Sequence, residues 1–302
     1  MATLDVPLTA QRETRSSIIE DQSSVTDTVL AAMQDAENPR LREVMAALVR
    51  HLHAFAREVN LTEEEFDLGI DFLNRIGQAT NDTHNEGILF SDVLGFSTLV
   101  CLLNNGADGA TETASALLGP FWRMNSPHTE NDGSIVRCET PGPDLFVDAR
   151  VVDPQGRGIE GVEVDVWQAS PVGLYENQDD TQADMNLRGK FTTDAEGRFG
   201  FRSIRPAGYP VPTHGPAGDL LRAQGRHPFR PAHLHFLAFR PGYKTLITQV
   251  FVDDDQHLET DVVFGVTRHL IGDFKKVEAG YTLDYTFVME PGEARLPTPP
   301  IK

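Results

Sequence analysis

The stretch "RPAHLHF", residues 230–236, places His233 and His235 two apart, directly behind an Arg-Pro. On a strand, residues i and i+2 lie on the same face, so the two rings would project together. Leu234 and Phe236 alternate with them, which predicts a strand with one apolar face. The same signature recurs throughout the chain after residue 130. "GVEVDVWQA" puts Val162, Val164 and Val166 on one face and Glu163 and Asp165 on the other. "GRFGFRSI", "HLHFLAF", "LITQVFV" and "YTLDYTFVM" read the same way, separated by turns such as "DPQGRG", "DAEG" and "RPAGYPVP". Many short strands at this spacing predict an antiparallel sandwich or barrel.

His51 and His53 repeat the spacing in a different setting. They lie in "NPRLREVMAALVRHLHAFAREV", where Leu41, Val44, Leu48, Leu52 and Phe55 recur at helical period. Asn38 reads as the N-cap and Pro39 as the first helical residue. On a helix, i and i+2 point about 200° apart, so these two histidines cannot share a metal. "LTEEEFDLGIDFLNRIGQA" opens with Thr62 and Glu65, a capping-box pattern. "ILFSDVLGFSTLVCLLNN" reads as a third helix. The expected plan is a loose arm over 1–20, a helical part over 21–115 and a β-sandwich over 116–302, with no internal repeat.

The chain has 302 residues, 40% of them hydrophobic, and a formal net charge of −19. That charge argues against nucleic acid or an anionic membrane surface as partner. Two cysteines, Cys101 and Cys138, are too few for a disulfide framework. Cys101, inside the apolar run "STLVCLLNN", reads as a buried thiol. The opening residues contain no apolar run suited to a signal peptide, and no stretch reaches the roughly 18 apolar residues of a membrane span. A soluble, cytoplasmic protein is expected.

Two histidines on one strand face are either a bidentate metal site or two polar residues on an exposed sheet face. No cysteine lies near them, no H-E-x-x-H helix exists, and Asp253, Asp254 and Asp255 fall in a turn. Two of the five tyrosines lie upstream in turn-rich contexts, Tyr175 in "GLYENQD" and Tyr209 in "PAGYPVP". Two phenolates with two imidazoles would suit ferric iron better than zinc or copper, by ligand hardness. The bland alternative for each tyrosine is a half-buried aromatic with a satisfied hydroxyl.

Taken together, a tyrosine in G-x-Y-x-N, a tyrosine after P-A-G and then R-P-A-H-x-H resemble the intradiol ring-cleaving dioxygenases. "LLGPFWR", 117–123, also looks like the segment that opens this family's catalytic part. The resemblance covers nearly the whole chain. It implies a mixed, mainly β fold: an N-terminal helical dimerisation part, then an antiparallel β-sandwich catalytic domain. It implies one Fe(III) per subunit, held by Tyr175, Tyr209, His233 and His235. Tyr209 and His235 would be axial; Tyr175 and His233 would be equatorial beside a hydroxide. Arg230 matches the arginine that faces the substrate, and Gln249 matches the active-site glutamine. A vicinal diol would bind as a dianion, with the hydroxide and Tyr209 taking its two protons and Arg230 stabilising developing negative charge. Relatives also imply a homodimer through the N-terminal helices, with a phospholipid held between them.

Three stretches look more like the hydroxyquinol-cleaving members of the family than the catechol-cleaving ones. These are "GILFSDVLGFSTLV", with Asp92 three residues after Leu89, "GYPVPTHGPAGDLL", and "DVVFGV" at 261–266. The implied reaction cleaves hydroxyquinol (benzene-1,2,4-triol) with O2 to 3-hydroxy-cis,cis-muconate, which tautomerises to maleylacetate. Asp92 would accept a hydrogen bond from the third hydroxyl, unless it is only a helix cap or a solvent-facing helix residue. Leu89, Gly119, Pro120, Phe121, Val211 and Val263 would wall the pocket. The alternative substrates are catechol or a chlorocatechol. A non-enzymatic sandwich binding module would explain the architecture but leave Tyr175, Tyr209 and Arg230 unexplained. Extradiol cleavage is disfavoured, because ferrous sites of that kind use two histidines and a carboxylate.

Overall fold

The alternating segments form two five-stranded sheets whose apolar faces pack together. The computed structural model describes residues 17–81, 84–105 and 113–300. In chain order the strands are β1 (Gly133–Ser134), β2 (Asp144–Val152), β3 (Glu163–Gln168), β4 (Arg188–Thr192), β5 (Arg198–Ile204) and β6 (Tyr209–Pro210). They continue with β7 (Phe229–Arg230), β8 (His233–Phe239), β9 (Leu246–Val252), β10 (Ile271–Gly272), β11 (Phe274–Val277) and β12 (Gly280–Val288). One sheet runs β1-β5-β2-β12-β11, the other β10-β9-β8-β3-β4, and β6 and β7 form a separate short pair.

The core between the sheets is built by period-two alternation. Val147, Val151, Phe199, Phe201 and Phe287 come from one sheet; Val164, Val166, Leu234, Phe236 and Val250 come from the other, and all are buried. Two features add to the expected antiparallel sandwich. First, the sheets are mixed: the long pair β2–β12 is parallel, as are β1–β5 and β10–β9. Alternation reports which face is buried, not the direction of the neighbouring strand. Second, β3 is covered on both faces. Asp165, on the face opposite Val164 and Val166, is buried and accepts from Trp122 Nε1 at 3.3 Å.

The chain gathers into two units, one up to Asp71 and the other from Phe72 onward. The first contains α1 (Val25–Ala32) and α2 (Pro39–Glu58), and α3 (Glu63–Ala79) begins in it. Asn38 caps α2 by accepting from the Leu41 N–H at 3.0 Å, with Pro39 in the first turn. Thr62 and Glu65 form the reciprocal box expected at the start of α3. His51 is exposed, while His53 bonds Thr26 through Nδ1 at 3.0 Å, so the pair does not converge. Leu41, Val44, Leu48, Leu52 and Phe55 are all exposed, at 39–54%. Of the expected arm over 1–20, residues 1–16 lie outside the described residues, and 17–20 carry no regular structure.

In the second unit the helix expected over 88–105 is two helices, α4 (Glu86–Val93) and α5 (Phe96–Asn105), bent by 82°. Gly95 sits between them at φ +69°, a left-handed terminus that ends α4 and that glycine adopts without steric cost. Thr98 on α5 then donates to the Val263 carbonyl at 3.0 Å, tying the second helix to the loop after β9. Cys101, expected to be buried, is a free thiol that is only half-buried. The α4 helix packs on α6 (Pro216–Ala223), whose Ala217 N–H donates to the buried Glu86 carboxylate at 2.8 Å. Among the described residues no single helix is long and apolar enough to cross a membrane.

Candidate active site

Strand β8 sends Leu234, Phe236 and Ala238 into the core between the sheets. The same alternation sends His233 and His235 to the outer face, where both are buried. The register aligns Trp167 of β3, His235 of β8 and Gln249 of β9 across three neighbouring strands. Trp167 stacks on the His235 ring at 4.6 Å between centroids and 11° between planes. The short β6–β7 ladder places Tyr209 directly opposite Arg230. Tyr175 leads into a 3-10 turn over Glu176–Gln178, and its N–H donates to Gln178 Oε1 at 3.1 Å.

Four polar atoms converge at this face. Tyr175 Oη lies 3.3 Å from Tyr209 Oη and 3.0 Å from His235 Nε2, and His233 Nε2 lies 3.1 Å from His235 Nε2. Four donors about 2.1 Å from a common ion at right angles would be about 3 Å apart, so the spacing fits metal coordination. The Pro231 carbonyl can only accept, so His233 Nδ1, 2.8 Å from it, carries the proton and Nε2 presents its lone pair. Burial pushes His233 down to about 3, with the Arg230 charge adding to the effect. Burial, then the neighbouring His233, hold His235 well below the usual imidazole range. Burial, reinforced by Tyr209, raises the Tyr175 phenol well above its usual value. Both imidazoles are therefore free bases at neutral pH, and a bound cation would oppose the cost of ionising the Tyr175 phenol. Among the described residues no three His, Cys, Asp or Glu side chains converge to hold a metal; the atoms beside the two imidazoles are the two tyrosine hydroxyls.

A cavity of about 350 Å³ opens beside these atoms. Leu89, Phe121, Val211 and Val263 form apolar wall, with Gly119 and Pro120 between them. Gly119 has φ +75°, and a Cβ there would lie 3.2 Å from His235 Cε1, so both backbone and space require glycine. Tyr209, Arg230 and Asp92 supply polar lining. Asp92 lies in the last turn of α4, not at its N-cap. Burial raises its carboxyl to about 6, against the opposing effects of the Ser97 hydroxyl and Arg230. Gln249 donates from Nε2 to the Leu117 carbonyl at 2.7 Å and accepts from Arg230 Nη2 at 2.9 Å.

Sequence reasoning missed the charges beneath the site. Arg188 is fully buried, donating from Nε to Glu176 at 2.7 Å and from Nη1 to the Phe121 carbonyl at 2.6 Å. Arg123 reaches the same Glu176 at 2.9 Å. One carboxylate next to Tyr175 thereby holds together the tyrosine turn and the Phe121 wall. Asp261 was also missed; it pairs with Arg230. The only sequence signal was the position of Glu176 beside Tyr175 and of Asp261 at the head of "DVVFGV".

The fold and this cluster define a class of ring-opening oxygenase. The chain belongs to the intradiol ring-cleavage dioxygenase family: residues 117–291 match the family model described as Dioxygenase, and 38–112 match Catechol dioxygenase N terminus. It is 44% identical to a hydroxyquinol 1,2-dioxygenase of Rhizobium sp., over 86% of this chain and 87% of that protein. It is 41% identical to a catechol 1,2-dioxygenase of Candida albicans, over 86% and 89% of the two chains. The crystal structure of hydroxyquinol 1,2-dioxygenase from Pseudomonas putida superposes with a TM-score of 0.84 at 37% identity, covering 90% of this chain and 99% of that one. Membership of this enzyme family removes the non-enzymatic binding module from consideration.

Removing the Arg188 charge leaves Glu176 buried with only Arg123 as counterion. Arg188→Met should therefore lower stability by about 3–5 kcal/mol in urea denaturation, and adding Glu176→Gln should restore part of the loss. A change below about 1 kcal/mol would show that the buried pair is not what holds this turn.

Proposed function

We propose that this protein opens hydroxyquinol by intradiol cleavage with O2, giving 3-hydroxy-cis,cis-muconate and its tautomer maleylacetate, through one Fe(III) per subunit. The observation that carries this reading is the convergence of two tyrosine hydroxyls and two imidazole nitrogens beside a cavity with Asp92 in its wall. The hydroxyquinol-cleaving relatives support it. Tyr175, Tyr209, His233 and His235 would hold the iron. When bound, ferric iron supplies the Lewis acidity that lets a diol bind as a dianion.

The remaining steps fall to the chain. Tyr209 Oη, a phenolate when it would hold the metal, would take one diol proton, and a hydroxide would take the other. Arg230 stabilises negative charge developing on the ring, a charge-aimed role of the kind that often dominates catalysis. Gln249 fixes Arg230 and the Leu117 backbone. Leu89, Phe121, Val211 and Val263, with Gly119 and Pro120, hold the ring and exclude water. Asp92 accepts from the third hydroxyl, which would otherwise lose about 1–3 kcal/mol on burial without a partner.

The metal is tested by purifying the protein without a metal-binding tag and measuring iron content and the visible spectrum. One iron per chain and a red to purple phenolate band are expected, and Tyr175→Phe should lose both. Full zinc occupancy with no visible band would sink the reading.

Substrate choice is tested by kcat/KM on hydroxyquinol, catechol and 4-chlorocatechol, with product identification. Hydroxyquinol should be preferred, because a site built to bond a hydroxyl rejects the analogue lacking it. Asp92→Ala should narrow the preference with iron retained. The Asp92 carboxyl is raised to about 6, so it is neutral below that pH and a charged acceptor above it. The preference should therefore grow as pH rises through about 6 and be flat in Asp92→Ala. The sign for stability is the reverse: the raised carboxyl contributes below its ordinary value of 3.8, and that contribution is lost as pH rises through about 6. A wild-type preference for catechol would transfer the assignment to the catechol-cleaving members.

We also propose that the helical part, to about residue 115, forms a homodimer, with a phospholipid between the helices. The exposed row from Leu41 to Phe55 supports this, since isolated apolar residues are ordinary on a surface but a contiguous stripe is not. Light scattering at micromolar concentration should give a dimer, and Leu48→Glu with Leu52→Glu should give a monomer. A monomeric wild-type chain would contradict the proposal.

A further inference from the structure

Arg230 has five N–H donors on a rigid planar fork, and the structure accounts for how they are shared. Its Nε donates to Asp261 Oδ1 at 3.2 Å, and Nη2 donates to Asp261 Oδ2 at 3.2 Å and to Gln249 Oε1 at 2.9 Å. That edge is fully committed. The two donors of Nη1 lie on the other side of the fork, and Nη1 donates to His233 Nε2 at 3.3 Å, at the convergence of the four candidate ligands; a metal held by that nitrogen would release the donor. A guanidinium held on one edge by a bidentate carboxylate presents its other edge in one orientation.

The same carboxylate builds part of the cavity wall. Asp261 Oδ1 accepts from the Val263 N–H at 3.3 Å, and Oδ2 accepts from the Gly265 N–H at 2.9 Å. The Phe264 N–H closes the turn on the Asp261 carbonyl at 3.0 Å. Phe264 sits at φ +57°, a conformation that persists only where its surroundings enforce it. Val263 from this turn lines the cavity, and its carbonyl accepts from Thr98 of α5. At Gly265 a Cβ would come within 3.0 Å of Arg230 Nη2 and 3.1 Å of Asp261 Oδ2, so glycine leaves room for the paired groups. Both Asp261 and Arg230 are buried, so neither end of the clamp is replaced by solvent.

We infer that Asp261 is a positioning residue for ring cleavage: its carboxylate fixes the Arg230 fork with Nη1 toward the reacting centre and couples that orientation to the Val263 wall. The inference rests on the catalytic role proposed for Arg230. It assigns no substrate contact to Asp261. Asparagine at this position would keep the shape but place an NH2 against Arg230 or against the turn N–H groups, so one edge of the clamp would be lost.

The test is a double-mutant cycle on the iron-loaded enzyme, comparing wild type, Asp261→Asn, Arg230→Gln and the double variant. Asp261→Asn should lower kcat about 10–100-fold with KM changed less than about threefold, because an interaction made mainly in the transition state is lost. Iron content and the visible band should be unchanged. In the Arg230→Gln background the same substitution should cost less than about twofold, because the group it orients is gone. Gly265→Ala, which crowds the fork without changing charge, should show the same dependence on Arg230. It also decides the matter if Asp261→Asn does not fold. Multiplicative losses in the cycle, or unchanged kcat in Asp261→Asn or Gly265→Ala, would overturn the inference while leaving a catalytic Arg230 intact. Unchanged kcat in Arg230→Gln would overturn the role of Arg230 first and this inference with it.

Discussion

Strand β8 has to meet two environments at once. Leu234, Phe236 and Ala238 fill the dry space between the sheets, and His233 and His235 project from the opposite face. A slip of one residue would exchange the two sets and bury imidazoles in the core. The register is held from both sides, because β3 and β9 carry their own core residues, Val164, Val166 and Val250, on the same inner face. The tyrosine turn, the β6–β7 pair and the Phe121 segment all close over the outer face that this register defines.

The charges around that face are arranged by pairing. In a chain of net charge −19, Arg188 and Arg230 are buried, each against one carboxylate. Burial alone would raise the Asp261 carboxyl, but Arg230 and the Gly265 N–H hold it below its ordinary value. Asp92 shows the opposite balance, since burial outweighs the help it receives from Ser97 and Arg230. Buried pairs of this kind cost several kcal/mol of desolvation per ion, so their main effect is on orientation. Arg188 orients the turn that carries Tyr175, and Asp261 orients Arg230.

The histidine pair, the two tyrosines and the alternating strands were legible because each depends on local spacing or on a motif. The first-turn caps of α2 and α3 were legible for the same reason. The break at Gly95 was not, because both halves of 88–105 are apolar and a glycine alone does not reveal its φ. The parallel pairing of β2 with β12 leaves no trace in alternation. The burial of Asp165 was not legible either, because Trp122, distant in sequence, covers it. Asp261 was noticed only as part of a motif, since its partner Arg230 is brought to it by the path of β8 and β9.

The parallel β2–β12 pair also has a consequence for biosynthesis. Strand β12, the last among the described residues, lies inside its sheet between β2 and β11. Until it is made, β2 has β5 on one side and an open hydrogen-bonding edge on the other, beside Val147, Val151 and the phenylalanines of β5. At about 5–20 residues per second, the interval between synthesis of β2 and of β12 is on the order of ten seconds. For that time the nascent chain carries a sticky, half-built sheet that can pair with a neighbouring chain. The finished fold closes that edge only when its last strand arrives, so the time the edge stays open follows the length of chain between β2 and β12, not the stability of the completed sheet.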